Sequence, residues 1–170
     1  RLEQTGKTYI INGEKVKARK KTSNKWFETQ DSISYWEDFD KPKIVWKRVG
    51  SILRFCYNNN SALALDSTCF ATGINVEFLC CLLNSPMGHY LLKDAPQTGT
   101  GDLLISVQAV EPIMVPLISE DENKYFIDSL KTIIEGDFES LQKEINYKVY
   151  ELYNLSLDEQ KYIEQRENFS

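Results

Sequence analysis

Five cations, Lys41, Lys43, Lys47, Arg48 and Arg54, fall within 14 residues and are interleaved with Trp46, Phe55 and Tyr57. Lys and Arg neutralise phosphates and release condensed counterions, so a cluster of this density suits a polyanion. Reading a base edge needs other groups, such as Arg toward guanine or a carboxamide toward adenine. Asn58, Asn59, Asn60, Gln97, Thr98, Thr100 and Gln108 carry side chains of that kind. Singly, each is an ordinary polar loop residue; beside a basic strand they form one candidate nucleic-acid-contacting set.

Acid–base and covalent chemistry have little to work with. The only histidine is His89, in Met87-Gly88-His89-Tyr90 on an expected helix. Neither the G-x-S-x-G nucleophile elbow nor the phosphate-cradling G-x-x-x-x-G-K-[ST] loop occurs. Thr98-Gly99-Thr100-Gly101 does not lead from a clear strand into a helix, so it reads better as a contacting loop than as a cofactor loop. Glu37-Asp38-Phe39-Asp40-Lys41 is the one dense acid and lysine cluster of the front part, and it reads as a solvated turn rather than an ion-binding nuclease centre. Cysteines 56, 69, 80 and 81 form no C-x-x-C pair and lack zinc-ligand spacing. Their apolar neighbours make them free thiols packed as small core residues in a reducing cytoplasm. No catalytic and no metal-binding residue is assigned.

The elements that must position the candidate set follow from local pattern. Thr8–Ile11, Asn12-Gly13 and Glu14–Lys17 read as a hairpin, because Asn-Gly supplies the positive φ angles of a two-residue turn. Residues 18–25 read as a basic loop, residues 26–39 as an aromatic-rich lead-in, and Asp40-Lys41-Pro42 as a turn. Lys43–Val49 and Ile52–Tyr57 have strand composition, broken by Gly50-Ser51. Alternation in the first places Lys43, Val45 and Lys47 on one side, with Ile44, Trp46 and Arg48 on the other. Asn58–Ser61 is a loop, and Ala62–Leu65 and Cys69–Thr72 are short strands. A helix capped by Asn75 runs through Leu83, and Pro86 interrupts or kinks it. Residues 94–101 read as a loop, with short extended pieces at Leu103–Ser106 and Pro112–Pro116, the prolines placing the second at an edge or in a connection.

The character then changes. Ser119-Glu120-Asp121-Glu122 is a capping box for a helix through Ile134, ended at Glu135-Gly136-Asp137. Phe138, Leu141, Ile145, Val149 and Leu152 form one helical stripe. Ser156-Leu157-Asp158-Glu159 is a second capping box. The expected fold is α+β: a mostly β core with an inserted helix over residues 1–118, with the 7–17 hairpin as an elaboration, then a helical extension over 119–170.

At 170 residues the chain can bury a real core, and its hydrophobic fraction of 42% excludes intrinsic disorder as the main state. No apolar run approaches the ~18 residues of a membrane span, and no signal peptide is visible. The chain opens on Arg1, as a piece of a longer protein would. Its net charge of −5 is unevenly spread: residues 1–60 hold 13 Lys+Arg against 7 Asp+Glu, and residues 61–170 hold 7 against 18. A basic front third can face a polyanion while an acidic tail points elsewhere.

Several motifs, in order, carry a resemblance. Lys41-Pro42-Lys43-Ile44-Val45-Trp46 follows the aromatic lead-in and precedes a second strand with Arg54. Leu65-Asp66-Ser67-Thr68-Cys69-Phe70, Phe78-Leu79-Cys80-Cys81-Leu82-Leu83-Asn84-Ser85, Ile105-Ser106 with Glu111–Pro116, and Val149–Glu159 follow. Over residues 26–163 the chain resembles the C-terminal specificity domain of TaqI-like adenine-specific DNA methyltransferases, found in restriction–modification and fused type IIG enzymes. The hairpin has no counterpart there.

The resemblance implies a non-catalytic target recognition domain that grips double-stranded DNA while an adenine is flipped out. It implies a cytoplasmic parent whose separate upstream methyltransferase domain binds S-adenosylmethionine, with no cofactor in this segment and no membrane partner. Base-contacting residues vary within that family, so the candidate set above rests on residue chemistry alone. Two other readings compete. One is half of a type I restriction specificity subunit, with residues 119–153 as a spacer helix pair. The other is a protein-interaction module docking through its acidic helical tail.

Overall fold

A computed structural model describes residues 5–18, 20, 21, 23, 25, 34–136 and 139–167. The chain forms two compact units, residues 1–37 and 38–170. Most of the aromatic lead-in, including Trp26 and Phe27, lies outside the described residues, as does Phe138.

In the first unit, β1 (Thr8–Ile11) pairs antiparallel with β2 (Glu14–Lys17) in the register Thr8↔Lys17 and Ile11↔Glu14. Asn12 and Gly13 take φ angles of 54° and 85°, as the Asn-Gly signal requires.

The second unit is built on a three-stranded antiparallel sheet, β5-β3-β6. The central strand β3 (Lys43–Lys47) pairs with β5 (Phe55–Asn58) and with β6 (Thr68–Thr72). Its Ile44 and Trp46 are buried, as alternation dictates. A two-residue strand β4 (Val49–Gly50) follows β3 and pairs with β7 (Leu103–Leu104).

Against this sheet packs α1 (Val76–Leu83), and α2 (Pro86–Leu91) packs against α1. Their junction explains Asn84-Ser85-Pro86. The Asn84 carboxamide accepts from Phe55 N–H at 3.0 Å and donates to Phe55 C=O at 2.7 Å, imitating a neighbouring strand. Ser85 Oγ is buried, donates to Leu82 C=O at 2.7 Å and accepts from Gly88 N–H at 3.2 Å, capping α2 with Pro86 in its first turn. A Cβ on Gly88 would stand 2.1 Å from Leu82 O, so the two helices can meet only at glycine.

The helices α3 (Val107–Val110), α4 (Glu120–Glu135), α5 (Glu139–Leu152) and α6 (Leu157–Glu167) complete the unit. Both capping boxes form: Ser119 with Glu122, and Ser156 with Glu159. Gly136 ends α4 at φ 117°. Phe126 of α4 meets Phe78 of α1 at 5.0 Å between ring centroids. Ile145 and Val149 of the α5 stripe and Ile163 of α6 enter the same core as Ile44, Trp46 and Leu82.

The fold is α+β. Helix accounts for 41% and strand for 18%, with the strands in small sheets. Four local expectations change. The strand expected from Ile52 begins at Phe55, and Ala62–Leu65 is irregular. Asn75 precedes α1 in the left-handed conformation, φ 56°, without a side-chain cap. Cys56, expected in the core, is exposed, while Cys69, Cys80 and Cys81 are buried.

Candidate nucleic-acid interface

The candidate residues divide between the two ends of β3. Four steps of ~3.3 Å separate these ends by about 13 Å.

At the Lys43 end the basic residues are largely committed to the fold. Lys43 is fully buried, which corrects its expected surface role. Its Nζ donates to the backbone carbonyls of Phe39 (2.7 Å), Lys41 (3.1 Å) and Asn60 (2.6 Å). The physical reason is the loop after β5. Asn58 pairs with Lys43 across the ladder, the chain turns back, and the Asn60 carbonyl closes over the ammonium group. Lys41 pairs with Asp38 at 2.7 Å. Asn58 Oδ1 accepts from Asn60 N–H at 3.0 Å, and Asn59 and Asn60 are exposed.

At the Lys47 end the cations face solvent. Lys47, Arg48 and Arg54 are exposed and make no ion pair among the described residues. The Lys47 stem lies over Gly50. Lys47 and Arg54 flank one small cleft with Trp46, Phe55 and Ile105. Arg48 N–H donates to Ser67 C=O at 3.1 Å, and its own carbonyl accepts from Ile105 N–H at 2.8 Å. The Arg48 charge acts on the Cys69 thiol, which also meets the Val107 backbone N–H; burial outweighs both and pushes that thiol up. Val107 opens α3, so exposed Gln108 belongs to this end.

The 97–102 turn joins the same end through the backbone. Leu103 pairs with Gly50 on one side and bridges to Gln97 on the other. The turn is closed by Thr98 N–H to Asp102 C=O at 2.8 Å and by Gly101 N–H to Thr98 C=O at 3.0 Å. The Thr98 and Thr100 hydroxyls lie 2.9 Å apart, and Thr100 Oγ1 donates to Asp102 Oδ2 at 3.0 Å. These hydroxyls shape the turn. The Gln97 carboxamide is exposed and makes no hydrogen bond among the described residues.

Beside the turn lies a groove of about 580 Å³, bordered by α2, α6 and the Ser51–Leu53 segment. Burial pushes the Cys80 thiol up to about 12 and the Cys81 thiol higher still, so both are protonated at neutral pH. Tyr57 is pushed up to about 12 by burial and by its hydrogen bond to Glu77. Among the described residues no three His, Cys, Asp or Glu side chains cluster as metal ligands would, and no helix is long and apolar enough to cross a membrane.

The structure thus gathers Lys47, Arg48, Arg54, Gln97 and Gln108 at one end and leaves Lys41, Lys43 and Asn58–Asn60 at the other. Sequence reasoning missed Lys93, in the turn after α2, and Arg166 of α6, which line the groove. They lie 73 positions apart, in stretches with no basic pattern. No family model and no curated protein matches this chain.

Proposed function

We propose that the chain recognises double-stranded DNA by sequence, as the specificity part of an adenine-N6 DNA methyltransferase of a restriction–modification system. The observation that carries the reading is the Lys47 end of β3. Three exposed cations without ion-pair partners among the described residues stand beside a hydrogen-bonded turn that presents Gln97. Cations of this kind hold phosphates without reading sequence. A carboxamide on a fixed turn can make the paired contacts that distinguish adenine.

The ordered motifs resembling TaqI-like specificity domains support the same reading. Trp46, Asn84 and Ser85 within them maintain the scaffold here, which fits a domain whose base-reading residues vary with target. S-adenosylmethionine binding and methyl transfer to adenine N6 belong, in this proposal, to an upstream domain of the parent.

The test is selection of random-sequence duplexes by the 170-residue chain at low salt, followed by affinity measurements across a salt series. The expected result is enrichment of one sequence, with log K falling by about 0.9 for each phosphate contact per log unit of salt. A folded chain that binds no duplex at low salt would overturn the proposal.

A further inference from the structure

The groove behind the 97–102 turn has an aliphatic floor and a cationic rim. Ile52, Leu53, Leu103 and Ile163 supply apolar surface, and Lys93 and Arg166 are its charged lining side chains. Among the described residues no carboxylate lines it. Each cation is braced by a tyrosine. Lys93 Nζ sits 4.2 Å from the Tyr90 ring centroid, and Arg166 Nη1 donates to Tyr162 Oη at 3.2 Å. The two rings meet edge to face at 6.2 Å, tying α2 to α6 below the cations.

Backbone pairing relates this rim to the other basic group. Gly50, Leu103 and Gln97 lie side by side, in that order. With strands ~4.8 Å apart, the backbone near Arg48 and the backbone leading back toward Lys93 are separated by roughly 10 Å. The turn stands between them. Gln97 and Gly101 line the groove on the Lys93 side, and Ile105 holds the Arg48 carbonyl on the other.

We propose that Lys93 and Arg166 form a second phosphate-binding arm for duplex DNA, so that the backbone is gripped on both flanks of the turn. This rests on the DNA reading given above. The apolar floor suits the hydrophobic faces of deoxyribose, and the rim suits the phosphates between them. Grip from both flanks fixes the position of the turn over the base edges, which one patch of cations cannot do. Asp94 lies 3.3 Å from Lys93 and partly offsets its charge, so Arg166 carries the larger share of the contact.

The test compares the unaltered chain with a Lys93→Gln/Arg166→Gln double variant, and with a Lys124→Gln control on α4. Binding to the selected duplex and to a scrambled one is measured over a salt series, after circular dichroism shows equal folding. The double variant should lose affinity for both duplexes by the same factor, and its salt slope should fall by about 1.8, or ~0.9 per contact. The control should keep the full slope. An unchanged slope in the folded double variant overturns the second arm and leaves the DNA reading standing. A loss confined to the selected sequence also overturns it, because these side chains would then read bases. An unaltered chain that binds no duplex overturns both.

Discussion

Lys43 and Lys47 begin and end the same strand and do opposite work. The Lys43 ammonium satisfies three backbone carbonyls inside the fold. Lys47 extends over Gly50 into solvent. Replacing Lys43 by Met keeps the stem and strands the carbonyls without a donor, which should cost roughly 2–4 kcal/mol in urea unfolding. Lys47→Ala should change stability by less than about 0.5 kcal/mol and weaken all duplexes alike. If Lys43→Met proves neutral, its three bonds contribute nothing to folding. Alternation correctly placed Ile44 and Trp46 in the core, because that depends only on the pleat. It could not show Lys43 turning inward. That depends on where the Phe39 and Asn60 carbonyls end up, and both lie in segments without periodicity.

At the scale of elements, the legible parts are those with local chemical causes. Asn12-Gly13 specifies its own turn, and both Ser-x-x-Glu boxes close on themselves. Strand limits were less legible. Whether Ile52 or Phe55 opens β5 depends on the partner offered by β3, and Ala62–Leu65 finds none. Gathering Gln97 beside Arg48 required the β4–β7 ladder, whose two-residue strands carry no alternation to detect.

Two expectations belong at this scale. Gly88→Ala would drive a methyl group against the Leu82 carbonyl. It should destabilise by at least about 1–3 kcal/mol, read from the urea midpoint; an unshifted midpoint would mean that the α1–α2 junction yields freely.

The second concerns acid. Hydrogen bonds from Ser119 and Ser156 hold the Glu122 and Glu159 carboxyls below their ordinary value of 4.5. Carboxyls lowered in the folded state add stability above that value, and this contribution is lost as pH falls through the lower folded values. Helix content should therefore drop on acidification below about pH 4.5. A Ser119→Ala/Ser156→Ala variant should show a weaker dependence when followed by circular dichroism. An identical acid profile would remove the boxes from the transition.

Over the whole molecule, charge is segregated along the chain: residues 1–60 carry +6 and residues 61–170 carry −11. In the proposed function, one chain must attract a polyanion at the Lys47 end and repel it along the acidic helices. That repulsion favours approach with the turn leading, at the cost of slower encounter. Glu135 and Glu144 are exposed acids on α4 and α5 with no ion pair among the described residues. Glu135 stands at the carboxyl end of α4, where the helix dipole already disfavours a negative charge, so neutralising it should not weaken the helix. A Glu135→Gln/Glu144→Gln variant should bind duplex DNA about twofold faster in stopped flow at low ionic strength. The dissociation rate should stay the same, since neither residue is in the contact. Near 1 M salt, where the screening length falls to about 3 Å, the gain should vanish. A gain that persists at high salt would mean that the variant creates a contact. No gain at low salt would mean that the acidic helices face too far from the approaching duplex to steer it.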